Sequence, residues 1–330
     1  MARVLSGLQP TGPVTLGNYL GALRHWVQDQ HRADSFFAVV DLHALTVEHD
    51  PAELRALTLE QARCLLAVGL DPEVCTLFVQ SHVHEHAELS WLLECTAGIG
   101  ELRRMTQFKE KSAQQEFVSA GLLTYPVLMA ADILIYDADR VPVGDDQRQH
   151  LELCRDLALR FNGRYGDVFV VPEASVPTVG ARVKDLQQPS RKMSASSASP
   201  AGTVLVLDPP ADIERKLKRA VTDTESEVRY DPEAKPGVSN LLTILGAATS
   251  RAPEDVATGY TQYGPLKADT AAAVIELLRP VQERYRELAG DPVGTAALLE
   301  KGAAKARIVA GATLARAKEA AGLLAPQPFA

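Results

Sequence analysis

The feature that most restricts the fold of this chain is the alternation in its first 80 residues, where short apolar segments of β type are separated by stretches of helical character. Residues 1–7 read as a strand ending at Gly7, Phe36–Val40 as a second ending at Asp41, and Thr76–Gln80 as a third. Between them come a turn-rich segment, Gln9–Pro13, a helix opening near Leu16-Gly17-Asn18, and a helix over 51–69. Pro51 suits the first turn of that helix and Gly69 its C-terminal cap. Strands that alternate with helices predict an α/β fold with a parallel sheet covered on both faces.

The rest of the chain changes character. Residues 85–139 are mostly helical, with a break at Gly98 to Gly100, and Tyr125-Pro126 is expected to open the helix that carries Met129, Asp132 and Ile133. Val141–Gly144 reads as a short strand and turn, 146–161 as a helix, and the polar stretch 187–201 as a mobile loop. Beyond 207 the periodicity is helical, over 211–221, 237–250, 252–264, 267–289 and 293–324. A chain of 330 residues is too long for one small core. We expect a catalytic domain over 1–206 with a helical insertion at about 100–140, a helical domain over 207–292, and a C-terminal helix over 293–330 packing back on the body.

Composition excludes several classes. With 46% hydrophobic and 23% charged residues the chain is ordinary for a soluble globular protein. No apolar stretch is long enough for a membrane span, and the N-terminus lacks the pattern of a signal peptide, which makes the cytoplasm the expected compartment. A net charge of −8 argues against a protein that coats nucleic acid non-specifically, yet a local basic surface can still hold RNA phosphates. Cys64, Cys75, Cys95 and Cys154 form no Cys-x-x-Cys pair, so they read as buried free thiols and no protein-held metal is expected.

Four segments carry candidate chemistry, each with an ordinary structural reading when taken alone. Gln9-Pro10-Thr11-Gly12-Pro13-Val14-Thr15-Leu16-Gly17-Asn18 runs from a strand through a turn into a helix, so backbone N–H groups and the positive helix end face a common point where phosphate or adenine can lie. It is neither a P-loop nor a Gly-x-Gly-x-x-Gly fingerprint. Tyr125, Met129, Asp132 and Ile133 fall on one helical face, and Asp132 in that apolar setting is costly to bury unless it is paired. Gly144-Asp145-Asp146-Gln147 follows an apolar strand, a place where carboxylates accept from ribose hydroxyls. Arg191-Lys192-Met193-Ser194-Ala195-Ser196 puts a lysine on a hydroxyl-rich loop able to close on pyrophosphate oxygens.

In this order the segments resemble the class I aminoacyl-tRNA synthetases, with Thr15–Asn18 at the His-Ile-Gly-His-like signature and Lys192–Ser196 at the Lys-Met-Ser-Lys-Ser-like one. Ala195 stands where that second signature has a lysine. The resemblance sharpens to the tryptophanyl-tRNA synthetases on Ser6–Gly12, Gly100–Ser112, Met129–Leu134, Val141–Gln147, Ala220–Asp223 and Lys235–Leu242, and covers nearly the whole chain. It implies a Rossmann-like nucleotide-binding domain followed by a mostly helical, anticodon-reading one. The implied reaction joins L-tryptophan and ATP into tryptophanyl-adenylate with loss of diphosphate, then transfers the tryptophanyl group to tRNA(Trp) with loss of AMP. Mg2+ would arrive with ATP, and the family's members are homodimers.

The resemblance also implies roles. Asp132 would accept from the indole N–H, which is a donor only. Leu5, Gly7, Val40, His43, Met129, Ile133, Val141 and Val143 would line the apolar wall, while Tyr125 and Gln147 would hold the amino and carboxylate groups. Gln9, Pro10, Thr11, Thr15, Gly17 and Asn18 would meet the nucleotide, and Gly144, Asp145 and Asp146 its ribose. Val183 and Met193 would flank adenine. Lys111, Lys192 and Ser194 would serve the phosphates catalytically, with Ala195 and Ser196 in the same loop and Arg191 or Arg182 as further cations. Arg215, Lys216, Lys218 and Arg219 form a basic cluster facing either tRNA or solvent. The tyrosine-specific sister enzymes are the nearest alternative, since a phenol O–H also suits Asp132; the Gln9–Gly12 and Met105–Lys111 strings favour tryptophan. A paralogue that binds tryptophan and ATP as a regulator is the other alternative, motivated by Ala195.

Overall fold

A computed structural model describes residues 2–113, 116–142, 147–175, 180–195, 199–225 and 227–325. Five strands form one parallel sheet: β1 (Arg3–Leu8), β2 (Asp34–Val39), β3 (Thr76–Val79), β4 (Arg140–Pro142) and β5 (Glu173–Ser175), in the order β3-β2-β1-β4-β5. Among its helices are α1 (Leu16–Asn18), α2 (Arg24–Asp29), α3 (Asp41–Ala44), α4 (Pro51–Ala67), α5 (Glu85–Glu94), α6 (Ile99–Arg104), α7 (Thr106–Ser112), α8 (Ala120–Leu134) and α9 (Arg148–Tyr165). Then follow α10 (Pro210–Lys218), α11 (Pro236–Thr249), α12 (Pro253–Ala257), α13 (Tyr263–Gly290) and α14 (Pro292–Ala320).

The two-residue period of β2 and β3 sorts the core into two layers. Phe37, Val39, Leu77 and Val79 face one side, in a cluster that runs without a break through Leu65 of α4 into Ile213, Leu241, Leu245, Leu266, Val274 and Leu278 of the helices after 207. Phe36, Ala38 and Phe78 face the other, against Val127 and Ile133 of α8, Leu151 and Leu157 of α9, and Ala303, Ala306 and Ala310 of α14. The small residues of α14 bring it close to the sheet. At Gly302 a Cβ would fall 1.8 Å from the Leu77 carbonyl oxygen, so only glycine fits where the helix backbone meets edge strand β3.

Several expectations are corrected. The helix carrying Asp132 does not open at Tyr125-Pro126. It opens at Ala120, where the Ser119 side chain accepts from the Leu122 N–H, and Pro126 lies inside it. A capped turn ahead of the proline outweighs the usual first-turn preference, at the cost of one main-chain donor. The helix expected over 252–264 is only α12, because Thr258–Gln262, with Gly259, turns the chain, and α13 starts early at Tyr263 with Pro265 in its first turn. Not all cysteines are buried: Cys95 is exposed.

Candidate active site

The strand order reverses between β1 and β4, and in open α/β sheets ligands sit beyond the carboxyl ends of the strands at such a point. A cleft of about 1660 Å³ opens there. It is lined by Leu5, Gly7 and Gln9 from β1 and its exit, by Val40 and His43 after β2, and by Val141 of β4. Lys111 of α7, Tyr125, Met129, Asp132 and Ile133 of α8, and Gln147 before α9 close one end. Thr11, Gly17, Asn18, Val183, Lys192, Met193, Ser194 and Ala195 line the other. The residues expected from the sequence to share a site are therefore brought together, apart from Pro10 and Thr15. Pro10 is buried. Thr15, 1% exposed, caps α1: its hydroxyl accepts from the Asn18 N–H and donates to Asn18 Oδ1. Val143, Gly144, Asp145, Asp146 and Ser196 lie outside the described residues.

At the α8 end the centre is Asp132, 5% exposed. Gln80 Nε2 and His86 Nδ1 donate to Oδ1, and His43 Nε2 donates to Oδ2, each at 2.7 Å. Burial pushes the carboxyl up, but the hydrogen bonds donated by His43 and His86 outweigh it and hold the group well below the usual carboxylate range. His86 is fixed in turn, because Tyr136, whose hydroxyl burial keeps protonated, lies 2.7 Å from Nε2 and donates there. Gln80 is held through its oxygen, which accepts from the Leu42 N–H. Tyr125 donates to Gln107 Oε1 at 3.2 Å and lies 2.9 Å from His150 Nε2; burial pushes its phenol up to about 12, so it stays a neutral donor. Lys111 lies with Nζ 5.2 Å from the Tyr125 ring centroid, and burial lowers its pKa.

At the other end the two signature segments meet. Asn18 Oδ1 accepts from the Thr15 N–H and hydroxyl, which turns its amide NH2 away from the cap. Gln61, buried on α4, donates to the carbonyls of Gln9 and Gly12 and sets the shape of the turn between them. The chain through Val183 and the chain through Met193 pair antiparallel, with the Met193 N–H donating to the Val183 carbonyl. Met193 rests on the start of α1, where a Cβ at Gly17 would lie 3.3 Å from the Met193 Cβ. Ala195 packs on the turn, where a Cβ at Gly12 would lie 2.9 Å from the Ala195 Cβ.

Sequence reasoning missed Gln61, Gln80 and His86, each buried and each bonded far away in the chain. Arg182 lines the cleft, whereas Arg191 does not. Of the basic cluster on α10, Arg215 pairs with Asp212, Lys216 with Asp208 and Lys218 with Glu214, so these charges are largely met from within.

The family model for class I tRNA synthetases (W and Y) matches residues 1–279. The chain belongs to the tryptophanyl-tRNA synthetases. It is 57% identical to tryptophan–tRNA ligase 1 of Streptomyces coelicolor, over 99% of this chain and 98% of that one. It is 52% identical to the tryptophan–tRNA ligase of Caldanaerobacter subterraneus, over 98% and 99%. Among solved structures, the tryptophanyl-tRNA synthetase of Mycoplasma pneumoniae superposes with a TM-score of 0.90 at 36% identity, covering 98% of each chain. That of Campylobacter jejuni, complexed with ADP and tryptophan, superposes at 0.84 and 33% identity, covering 97% of this chain and 100% of that one. The α/β fold of this family is the Rossmann-like arrangement described above.

Proposed function

We propose that the chain is an ATP-dependent tryptophan–tRNA ligase and that the cleft works as follows. L-Tryptophan lies at the α8 end with its indole against Leu5, Gly7, Val40, Met129, Ile133 and Val141. A carboxylate offers about four acceptor directions, of which three at Asp132 are filled. The remaining one, on Oδ2, takes the indole N–H. This is the observation that carries the reading: a buried, ionised, nearly saturated acceptor in an apolar pocket selects a ring that brings one donor. Phenylalanine would leave that direction empty in a desolvated site, which costs orders of magnitude in kcat/KM. Tyr125 and Gln147 hold the amino acid's polar end.

ATP lies across the Gln9–Gly12 turn with adenine between Val183 and Met193. Its phosphates meet the Asn18 amide, Ser194, Lys111 and Lys192, and its ribose meets Gly144 to Asp146. The tryptophan carboxylate oxygen attacks the α-phosphorus while the bond to the bridging oxygen breaks and diphosphate departs with both electrons. No enzyme nucleophile takes part, so the chain contributes alignment and positive charge where negative charge builds up. The 2′- or 3′-hydroxyl of the terminal tRNA ribose then displaces AMP. Mg2+ would come with ATP, held by its phosphates and by water, as is usual for this ion.

The helices after 207 are a tRNA anticodon-recognition domain over 207–292, with α14 (Pro292–Ala320) packing back on the body. Exposed Trp91, Ile99 and Phe117 support a homodimer that shields them. No described helix is long and apolar enough to cross a membrane, and the site of action proposed is the cytoplasm. ATP–pyrophosphate exchange with each amino acid in turn tests the central reading. Exchange driven by tryptophan and not by tyrosine or phenylalanine is expected, and exchange driven by tyrosine alone would overturn it.

A further inference from the structure

The signature loop has one lysine fewer than its family pattern, because Ala195 stands at the second lysine position. Ala195 also lies against the turn at Gly12, so its methyl group fills space and carries no charge toward the cleft. The hairpin that carries the loop supplies another cation. Lys184 and Lys192 are partners in an antiparallel bridge, flanked by the bonds from the Met193 N–H to the Val183 carbonyl and from the Asp185 N–H to the Arg191 carbonyl. Bonds on either side of the pair, and none within it, make it a non-hydrogen-bonded pair. In such a pair the two side chains leave the same face, with Cα atoms about 4.5 Å apart.

Both lysines line the cleft. Among the described residues neither ammonium has a carboxylate partner. Their neighbours Val183 and Met193 point the other way and are buried, at 2% exposure each. Like charges directly opposite one another are unfavourable. A hairpin that keeps them so, beside a nucleotide cleft, is suited to a polyanion between them. The backbone beneath is fixed as well: the buried Asn240 of α11 accepts from the Lys184 N–H at 2.8 Å and donates to the Lys184 carbonyl at 2.9 Å.

We propose that Lys184 is the second phosphate-binding lysine of this enzyme, taking the place of the one missing at 195. Together with Lys192 it grips the β- and γ-phosphates of ATP and the diphosphate that leaves. This inference rests on the proposed activation of tryptophan for its reaction, whereas the lysine pair by itself needs only pyrophosphate as its anion.

The test uses the full chain in ATP–pyrophosphate exchange, with Lys184→Met, Lys184→Arg and the double variant Lys184→Met, Ala195→Lys. Lys184→Met should slow exchange on the order of 100-fold and raise the KM for pyrophosphate, with the KM for tryptophan unchanged. Lys184→Arg should keep most of the rate. Adding Ala195→Lys should recover most of what Lys184→Met loses, which a merely structural role for Lys184 would not allow. Wild-type exchange in Lys184→Met, or a loss that Ala195→Lys fails to recover, would overturn the proposal. Should the unsubstituted chain show no tryptophan-dependent exchange, the proposed reaction fails and the lysine pair is judged separately. Calorimetry with inorganic pyrophosphate should then show weaker binding to Lys184→Met than to the parent chain, and equal binding would overturn the pair.

Discussion

At the α8 end of the cleft the decisive charge, the Asp132 carboxylate, is buried and already held by Gln80, His86 and His43, whereas at the hairpin end Lys184 and Lys192 stand side by side with no carboxylate partner among the described residues. The first arrangement is finished before ligand arrives. The second is completed only when an anion sits between the lysines. The difference follows what each end must do. Telling one aromatic side chain from another needs a rigid acceptor whose loss of a partner is costly. Diphosphate must be gripped as charge develops and then released, which suits cations that still meet water, Lys192 exposed and Lys184 half-buried.

If the contrast is right, Asp132→Asn has the largest effect of any single change. The amide turns at least one acceptor into a donor facing donors, so it should abolish tryptophan-dependent exchange within assay limits and lower stability by about 3 kcal/mol. Denaturant melts and exchange rates check both. Because the Asp132 carboxyl is held below its unfolded value, its stabilising contribution is complete above about pH 4 and disappears as pH falls through the lower folded value. The stability gap between the parent chain and Asp132→Asn should therefore be flat from neutral pH to about pH 4 and narrow below it. A gap that narrows near neutral pH would show that Asp132 is not held in this way.

Lys192→Ala should touch the rate alone, slowing exchange on the order of 100-fold with stability changed by less than about 0.5 kcal/mol, since the side chain is exposed. An unchanged rate would remove Lys192 from the phosphate site. Gln80→Leu comes next. It strips one donor from Asp132 and leaves the Leu42 N–H unmet, so it should cost about 1–3 kcal/mol and raise the KM for tryptophan more than that for ATP. Smallest is the effect of salt: raising ionic strength should increase the KM for ATP a few-fold and leave that for tryptophan nearly unchanged. Equal sensitivity of the two constants would blur the contrast.

Much of this was legible from residues alone. The strand–helix alternation places β1, β2 and β3, and the face shared by Tyr125, Met129, Asp132 and Ile133 requires that Asp132 find donors. Which donors they are was not legible, because His43, Gln80 and His86 lie 89, 52 and 46 residues away in the chain. A glutamine at the end of a strand carries no pattern of its own, and the same holds for Gln61 and Asn240. Lys184 escaped notice for a related reason. It becomes significant only through its partner across the bridge, and pairing between loop segments leaves no period in a sequence. Local rules failed where two of them competed, as at Pro126 behind the Ser119 cap.

The contact of Gly302 with the Leu77 carbonyl has a consequence for the ribosome that makes this protein. Strand β3 belongs to the nucleotide-binding sheet and forms its edge, and Gly302 of the α14 segment that covers it leaves the exit tunnel 225 residues after Leu77. A nascent chain therefore carries an uncovered apolar edge through that whole interval, the condition under which strands pair with the wrong neighbour. Premature stops after Ser196 and before Gly302 should yield chains that hold both signature segments and still fall to chaperones and proteases, because the edge of their sheet stays bare.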